Sequence, residues 1–197
     1  EILQSRFPEL TFKTHKFQHI VTFDIDMAYS YLEKGLKRNI GGFVRSFILS
    51  DYKAIKERFL VLIKKKKDPF DTFDFISETC NKYSVSPLYF FLLADESKLD
   101  KNIPHTSKRF QKQIREISDK NETGIHLSFM SHESPGTTAE EIERLKTLTG
   151  EKVFRNRFHY LRFHLPESYQ RLIRNNITED YSMGYAPRPG FRAGICT

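Results

Sequence analysis

Apolar positions along this chain fall into two alternating patterns, short continuous runs and stripes at three- and four-residue steps. The stretch His19-Ile20-Val21-Thr22-Phe23-Asp24-Ile25-Asp26 opens apolar and β-branched and predicts a strand. Leu88 to Ala94 is apolar throughout and stops at Asp95, as a strand buried on both faces does. Gly124 to Phe129 predicts a short third strand, Lys152 to Phe163 holds a fourth, and Ile177 to Tyr185 reads as a last strand or loop. Helical stripes lie between them. Phe43, Phe47 and Ile48, then Ile55, Phe59, Leu62 and Ile63, predict one or two helices after the punctuation of Gly41-Gly42. Phe73, Ile76, Cys80 and Tyr83 mark a helix within 69–83, and Phe110, Ile114 and Ile117 mark another over 107–120. Thr138 with Glu141 reads as a capping box opening a helix that runs to Leu148, with Ile142, Leu145 and Leu148 facing inward. A last helix lies within 166–175.

Strands alternating with helices through short connections predict an α/β fold, its parallel sheet wound in one direction. The strands at Val21, Phe90, Ile125 and Phe154 are expected to be neighbours, with their carboxyl ends on one rim. Residues 1–18 show no clean period and read as a lead-in, and 19–197 as one domain. The chain begins at Glu1 and stops at Gly194-Ile195-Cys196-Thr197, so it reads as a fragment cut at both ends.

Composition narrows this picture. With 39% hydrophobic residues and 18 Phe, the chain has the material for a packed core and is not a disordered segment. No apolar run is long enough to predict a transmembrane helix. Two cysteines, Cys80 and Cys196, make no disulfide framework and lean towards a reducing, cytoplasmic setting. The net charge of +7 raises the question of nucleic acid. Its densest patch, Lys64-Lys65-Lys66-Lys67, follows an amphipathic segment and reads as a solvated helix end. No basic-aromatic motif of an RNA-binding sheet is present, so nucleic acid is not the expected partner, whereas an anionic glycan suits the same charge.

The chemistry gathers at the predicted strand ends. The first strand delivers Asp24 and Asp26, which share a face if the extended backbone holds. The third delivers His126, with Ser128 and His132 beyond it, and the fourth delivers Arg155, Arg157 and His159. A carboxylate with two imidazoles and open positions is the ligand set of a catalytic zinc or a similar divalent metal. A spare carboxylate can take a proton from water, and an arginine can keep it charged and aimed. Met27 to Arg38, with Tyr29 and Tyr31, is where a substrate-facing loop is expected.

At these residues the chain resembles the polysaccharide deacetylases, the NodB-homology group of carbohydrate esterases, over nearly all its length from His19. Phe158-His159-Tyr160-Leu161-Arg162, Glu179 to Tyr185 and Gly190 to Gly194 look most like a bacterial deacetylase-like subgroup. The resemblance implies a distorted (β/α) barrel and a metal-dependent hydrolase that removes N- or O-linked acetyl groups from a polysaccharide or glycan. The family's first motif, Thr-Phe-Asp-Asp-Gly, implies Asp24 as base and Asp26 as metal ligand, although Ile25 stands between them here. Its second motif, His-Ser/Thr-x-x-His, implies His126 as ligand but finds Met130 where the second histidine should stand. The missing nitrogen then falls to His159, on the adjacent strand, or to His132. Arg157 is expected to orient the base, and Tyr29, Ser128 and Tyr185 to meet substrate. The metal implied is zinc, with cobalt, nickel or manganese as alternatives. The late histidine that serves the family as acid is not found. Two other readings stay open: a deacetylase-like glycan-binding domain without activity, prompted by Met130, and a haloacid-dehalogenase-type phosphatase, prompted by Asp-x-Asp. The latter also wants a lysine and an acidic pair where this chain offers His126 and Arg157.

Overall fold

The structure is a computed structural model, and it describes residues 5–9, 19–190 and 192–193. The expectations for most of the lead-in, for Phe191 and for residues 194–197 lie outside the described residues. Strands β1 (Val21–Ile25), β2 (Pro87–Phe91), β3 (Glu122–Leu127), β4 (Arg155–Phe158) and β5 (Glu179–Asp180) form one sheet in the order β1-β2-β3-β4-β5. Every pairing is parallel. Each strand therefore lies beside its predecessor in sequence, joined by a helical crossover, as in a sheet wound one way. The α/β class and the neighbouring strands follow the sequence expectation.

Register decides which residues share a face. Asp24 pairs with Phe90, Phe90 with Gly124, and His126 with Arg157. Because side chains alternate along a strand, one face carries Thr22, Asp24, Phe90, His126 and Arg157. The other carries Phe23, Ile25, Tyr89, Phe91, Ile125, Leu127 and Phe158, which pack into the main apolar cluster. Helices α3 (Phe73–Lys82), α4 (Lys108–Ser118), α5 (Pro135–Thr149) and α6 (Glu167–Arg174) contribute Phe73, Phe110, Ile114, Ile142 and Leu172 to that cluster. The helices thus cover one side of the sheet and leave the polar side for the site.

Local chemistry sets the helix boundaries. Ser107 caps α4, accepting from the Phe110 N–H at 3.2 Å, and the predicted Phe110, Ile114 and Ile117 are buried. The capping box at Thr138 and Glu141 is not formed. Ser134 caps α5 four residues earlier, Thr138 donates its hydroxyl to the Ser131 carbonyl, and Glu141 accepts from the Ser128 N–H at 2.9 Å. The strand expected within 152–163 is confined to β4 and gives way at His159 to a short 3-10 turn, His159–Leu161.

The first two helices depart most from expectation. Gly41-Gly42 lies inside α1 (Gly35–Ile48) and not between elements. The missing side chain at Gly42 lets the Arg58 guanidinium of α2 (Tyr52–Leu62) lie against the α1 backbone. Phe47, Ile48 and Phe59, in the apolar stripes that predict these helices, are 68%, 73% and 54% exposed. The reason is polar. Asn39 donates to the Tyr31 and Gly35 carbonyls and accepts from Arg58, so hydrogen bonds anchor the opposite face of α1. The loop before α1 is held by Asp68, a buried carboxylate that accepts the N–H groups of Ser30, Tyr31 and Leu32 at 2.7–3.1 Å. No helix among the described residues is long and apolar enough to cross a membrane.

Burial pushes the Glu141 carboxyl up to about 7, with the nearby Asp100 charge adding to the shift and the Ser128 hydrogen bonds opposing it. A carboxyl raised in the folded state gives stability that is present below its unfolded value and lost as pH rises towards about 7. Glu141→Gln keeps an acceptor for Ser128 and never ionises. Its stability relative to the parent is expected to rise by roughly 1–3 kcal/mol between pH 4.5 and pH 8. Denaturant melts across that range check this, and a difference that stays flat with pH counts against it.

Candidate metal centre

Three strand ends deliver one cluster. Asp26 follows β1, His126 lies near the end of β3, and His159 opens the turn after β4. One potential ligand atom from each lies within 4.8 Å of the others. Asp26 Oδ1 is 3.1 Å from His126 Nε2, and Oδ2 is 3.7 Å from His159 Nε2. Donors bonded at about 2.0–2.2 Å to one tetrahedral cation stand about 3.3 Å apart, which these separations match.

The far nitrogen of each ring settles its orientation. His126 Nδ1 is 2.8 Å from the Arg157 carbonyl, and His159 Nδ1 is 2.8 Å from Asp100 Oδ1. A carbonyl and a carboxylate accept, so each Nδ1 carries a proton and each Nε2 faces the centre, where it offers a lone pair once the ring is neutral. Burial disfavours charge on His159, but Asp100 and Asp26 on its two sides outweigh it and push its pKa up to about 9. Burial likewise works against the Asp26 carboxylate, and hydrogen bonds and charge from His126 and His159 still hold it well below the usual carboxylate range. The cluster wants a cation between its three donors, and a proton or a metal satisfies that demand.

Asp100 was not singled out from the sequence. It is 1% exposed, in the loop after β2, and accepts from the Phe129 N–H at 2.9 Å and the Ser97 hydroxyl at 3.0 Å as well as from His159. Its neighbours Asp95 and Glu96 give it no distinguishing spacing. Backbone strain also aims His159. Tyr160 and Leu161 both take positive φ, 58° and 50°, a conformation that costs of order 1–3 kcal/mol for each such residue. The turn leaves the His159 ring in the cluster and the Tyr160 ring 60% exposed.

Beside the cluster stands a second, separate carboxylate. Asp24 accepts from Arg157 Nη1 at 2.8 Å, while Nη2 reaches the Thr22 hydroxyl at 3.0 Å and Nε the Tyr181 carbonyl at 3.2 Å. The guanidinium lies 4.8 Å above the centre of the Phe90 ring. Four contacts thus hold Arg157 on the polar face of the sheet. Asp24, Asp26, His126, Arg157, His159 and Tyr185 line one cleft of about 440 Å³.

The remaining candidates lie elsewhere. Tyr29 is 1% exposed, with Arg109 stacked on its ring, and Ser128 is buried with its N–H donated to Glu141. Neither lines the cleft. His132 stays out of the cluster, because its Nδ1 is bonded to the Phe129 carbonyl and its Nε2 accepts from Arg162 Nε at 2.9 Å. Met130 sits in the 3-10 turn Met130–His132 and is 47% exposed. Arg155 pairs with Glu122 and Glu179, away from Asp24.

No protein-family model matches the chain, and no curated protein does. Among solved structures, one described as a "putative polysaccharide deacetylase from Mycobacterium smegmatis" matches with a TM-score of 0.50 at 14% identity. The match covers 84% of this chain and 50% of that one, so the chain spans about half the length of the structure it resembles. At that identity the relationship is one of fold.

Asp100→Asn keeps the size of the side chain while removing its charge from His159. A divalent cation titrated into the cluster, zinc for example, is expected to bind about 10- to 100-fold more weakly, although none of the three candidate donors is removed. Titration of zinc against a chelating dye measures it, and an unchanged affinity would take away the supporting role given to Asp100.

Proposed function

We propose that the chain is a metal-dependent hydrolase that removes N- or O-linked acetyl groups from a polysaccharide or other glycan. The observation that carries this reading is one rim holding both an Asp-His-His ligand set and a separate carboxylate clamped by arginine. Asp26, His126 and His159 would hold the cation through one carboxylate oxygen and two Nε2 atoms. That mixed oxygen and imidazole set suits zinc, and cobalt, nickel or manganese take the same donors. A divalent cation bound there acidifies water and polarises the acetyl carbonyl.

The chain's own residues divide the rest. Asp24 opens into the same cleft without belonging to the cluster, so it is free to receive the proton of the attacking water. Arg157 balances the Asp24 charge and fixes its direction, reaching from β4 across the same face of the sheet. Water adds to the acetyl carbon, the bond to the sugar nitrogen or oxygen breaks, and the proton taken by Asp24 is available to the departing sugar. Acetate leaves. Tyr185, which lines the cleft, would meet the sugar. The likeness of fold to the structure described as a "putative polysaccharide deacetylase" points the same way.

Zinc content and acetate release, measured together on acetylated glycan oligomers, test this division. Asp24→Asn is expected to lower turnover by about 10²–10⁴-fold while zinc stays bound. Asp26→Ala and His126→Ala are expected to lose the zinc itself. Equal loss of metal from Asp24→Asn and Asp26→Ala would collapse the two roles into one. A zinc-loaded protein that frees no acetate from N- or O-acetylated oligomers would end the hydrolase reading.

A further inference from the structure

The cleft at the candidate metal centre does not stop at Tyr185. A second cleft of about 520 Å³ opens along the turn after β4 and shares Tyr160, Leu161 and Tyr185 with the first. Its walls carry the rings of Phe129, Tyr160, Phe163 and Tyr185 and the guanidiniums of Arg162 and Arg192. No carboxylate lines it among the described residues. Each guanidinium lies over a ring, Arg162 at 4.5 Å from the centre of Phe129 and Arg192 at 4.6 Å from the centre of Phe163. A ring contact of this kind holds the cation in place and uses none of its N–H groups, which remain for other partners. Arg162 donates Nε to His132, and Arg192 donates Nη1 to the Leu161 carbonyl at 2.9 Å. Their other N–H groups have no partner among the described residues, and both side chains are exposed. Glu133, the acid of the neighbouring turn, faces His132 Nε2 at 3.2 Å. Tyr160 and Tyr185, at 60% and 41% exposed, offer ring surface along the passage between the clefts.

We propose that the second cleft is an acidic-sugar subsite. It holds a glycan residue bearing an anionic group, carboxylate or sulfate, next to the sugar whose acetyl group reaches Asp26, His126 and His159. This rests on the deacetylase reading and names its substrate class. The tyrosines supply apolar platforms for sugar faces, and the arginine edges match a planar or tetrahedral oxyanion. The net charge of +7 draws a polyanionic chain towards the protein as a whole.

Three N-acetylated tetrasaccharides, compared on the zinc-loaded protein by calorimetry and by acetate release, test it. One is neutral, of N-acetylglucosamine; one alternates N-acetylglucosamine with glucuronate; one is sulfated N-acetylglucosamine. At least one acidic oligomer is expected to bind about tenfold tighter than the neutral one at low salt, with the advantage shrinking as salt rises. The better acidic oligomer identifies the anion. In Arg162→Gln/Arg192→Gln that preference is expected to vanish with zinc still bound, and Arg192→Gln alone, a change at an exposed side chain, is expected to reduce it. Equal affinity for all three, or an acidic preference that survives both substitutions, overturns the subsite. The two readings fail separately. Arginine-dependent preference without acetate from any oligomer keeps the subsite and removes the deacetylase, whereas acetate released alike from all three does the reverse.

Discussion

One guanidinium ties the rim together. Arg157 stands on β4 and its partners Asp24 and Thr22 on β1, with β2 and β3 between them. A side chain reaches that far only because parallel register puts Asp24, Phe90, Gly124, His126 and Arg157 on one face. The aromatic floor at Phe90 then supports the cation in transit, and the Tyr181 carbonyl holds its Nε. The base candidate and the metal candidates are therefore parts of one arrangement, because the carbonyl of the same Arg157 holds the His126 ring.

The acids around the rim differ in what surrounds them. Asp24 meets an arginine and open cleft, Asp26 meets two imidazoles, and Asp100 is buried with every hydrogen bond directed inward. Three chemically identical groups thus stand in three different environments, which the proposed function reads as those of a proton acceptor, a ligand and a support for a ligand. Glu141, a fourth, is pushed the other way by burial and works for the fold at the Ser128 turn. Function here is assigned by environment more than by residue type.

Much of this was legible in the chain. The β-branched run before Asp24 and the unbroken apolar run at Leu88 both fit strands, the second buried throughout, and the strand-end positions of Asp26, His126 and His159 then put them on one rim. Of the two histidines open for the missing nitrogen, the cluster contains His159, which the end of β4 carries to the rim. The misreadings share a cause. Gly41-Gly42, the stripes of α1 and α2 and the capping box at Thr138 were judged from local pattern, and tertiary hydrogen bonds decided each of them. Asn39 with Arg58 turned α1 outward, and Ser134 took the cap that Thr138 promised. Asp100 carried no local signal, since its role arises only when the loop after β2 meets the turn after β4.

Gly124 carries an obligation of a different kind. A methyl group there would sit 2.6 Å from the Phe90 ring and 2.9 Å from the Arg155 Cβ. Phe90 is the floor on which the Arg157 guanidinium rests, so the smallest residue in β3 governs the height of that floor. Natural variation at this position would therefore be restrained as tightly as at a reacting carboxylate, though Gly124 has no side chain to offer a substrate. Drift at Gly124 would be felt as a loss of aim at Asp24, two strands away.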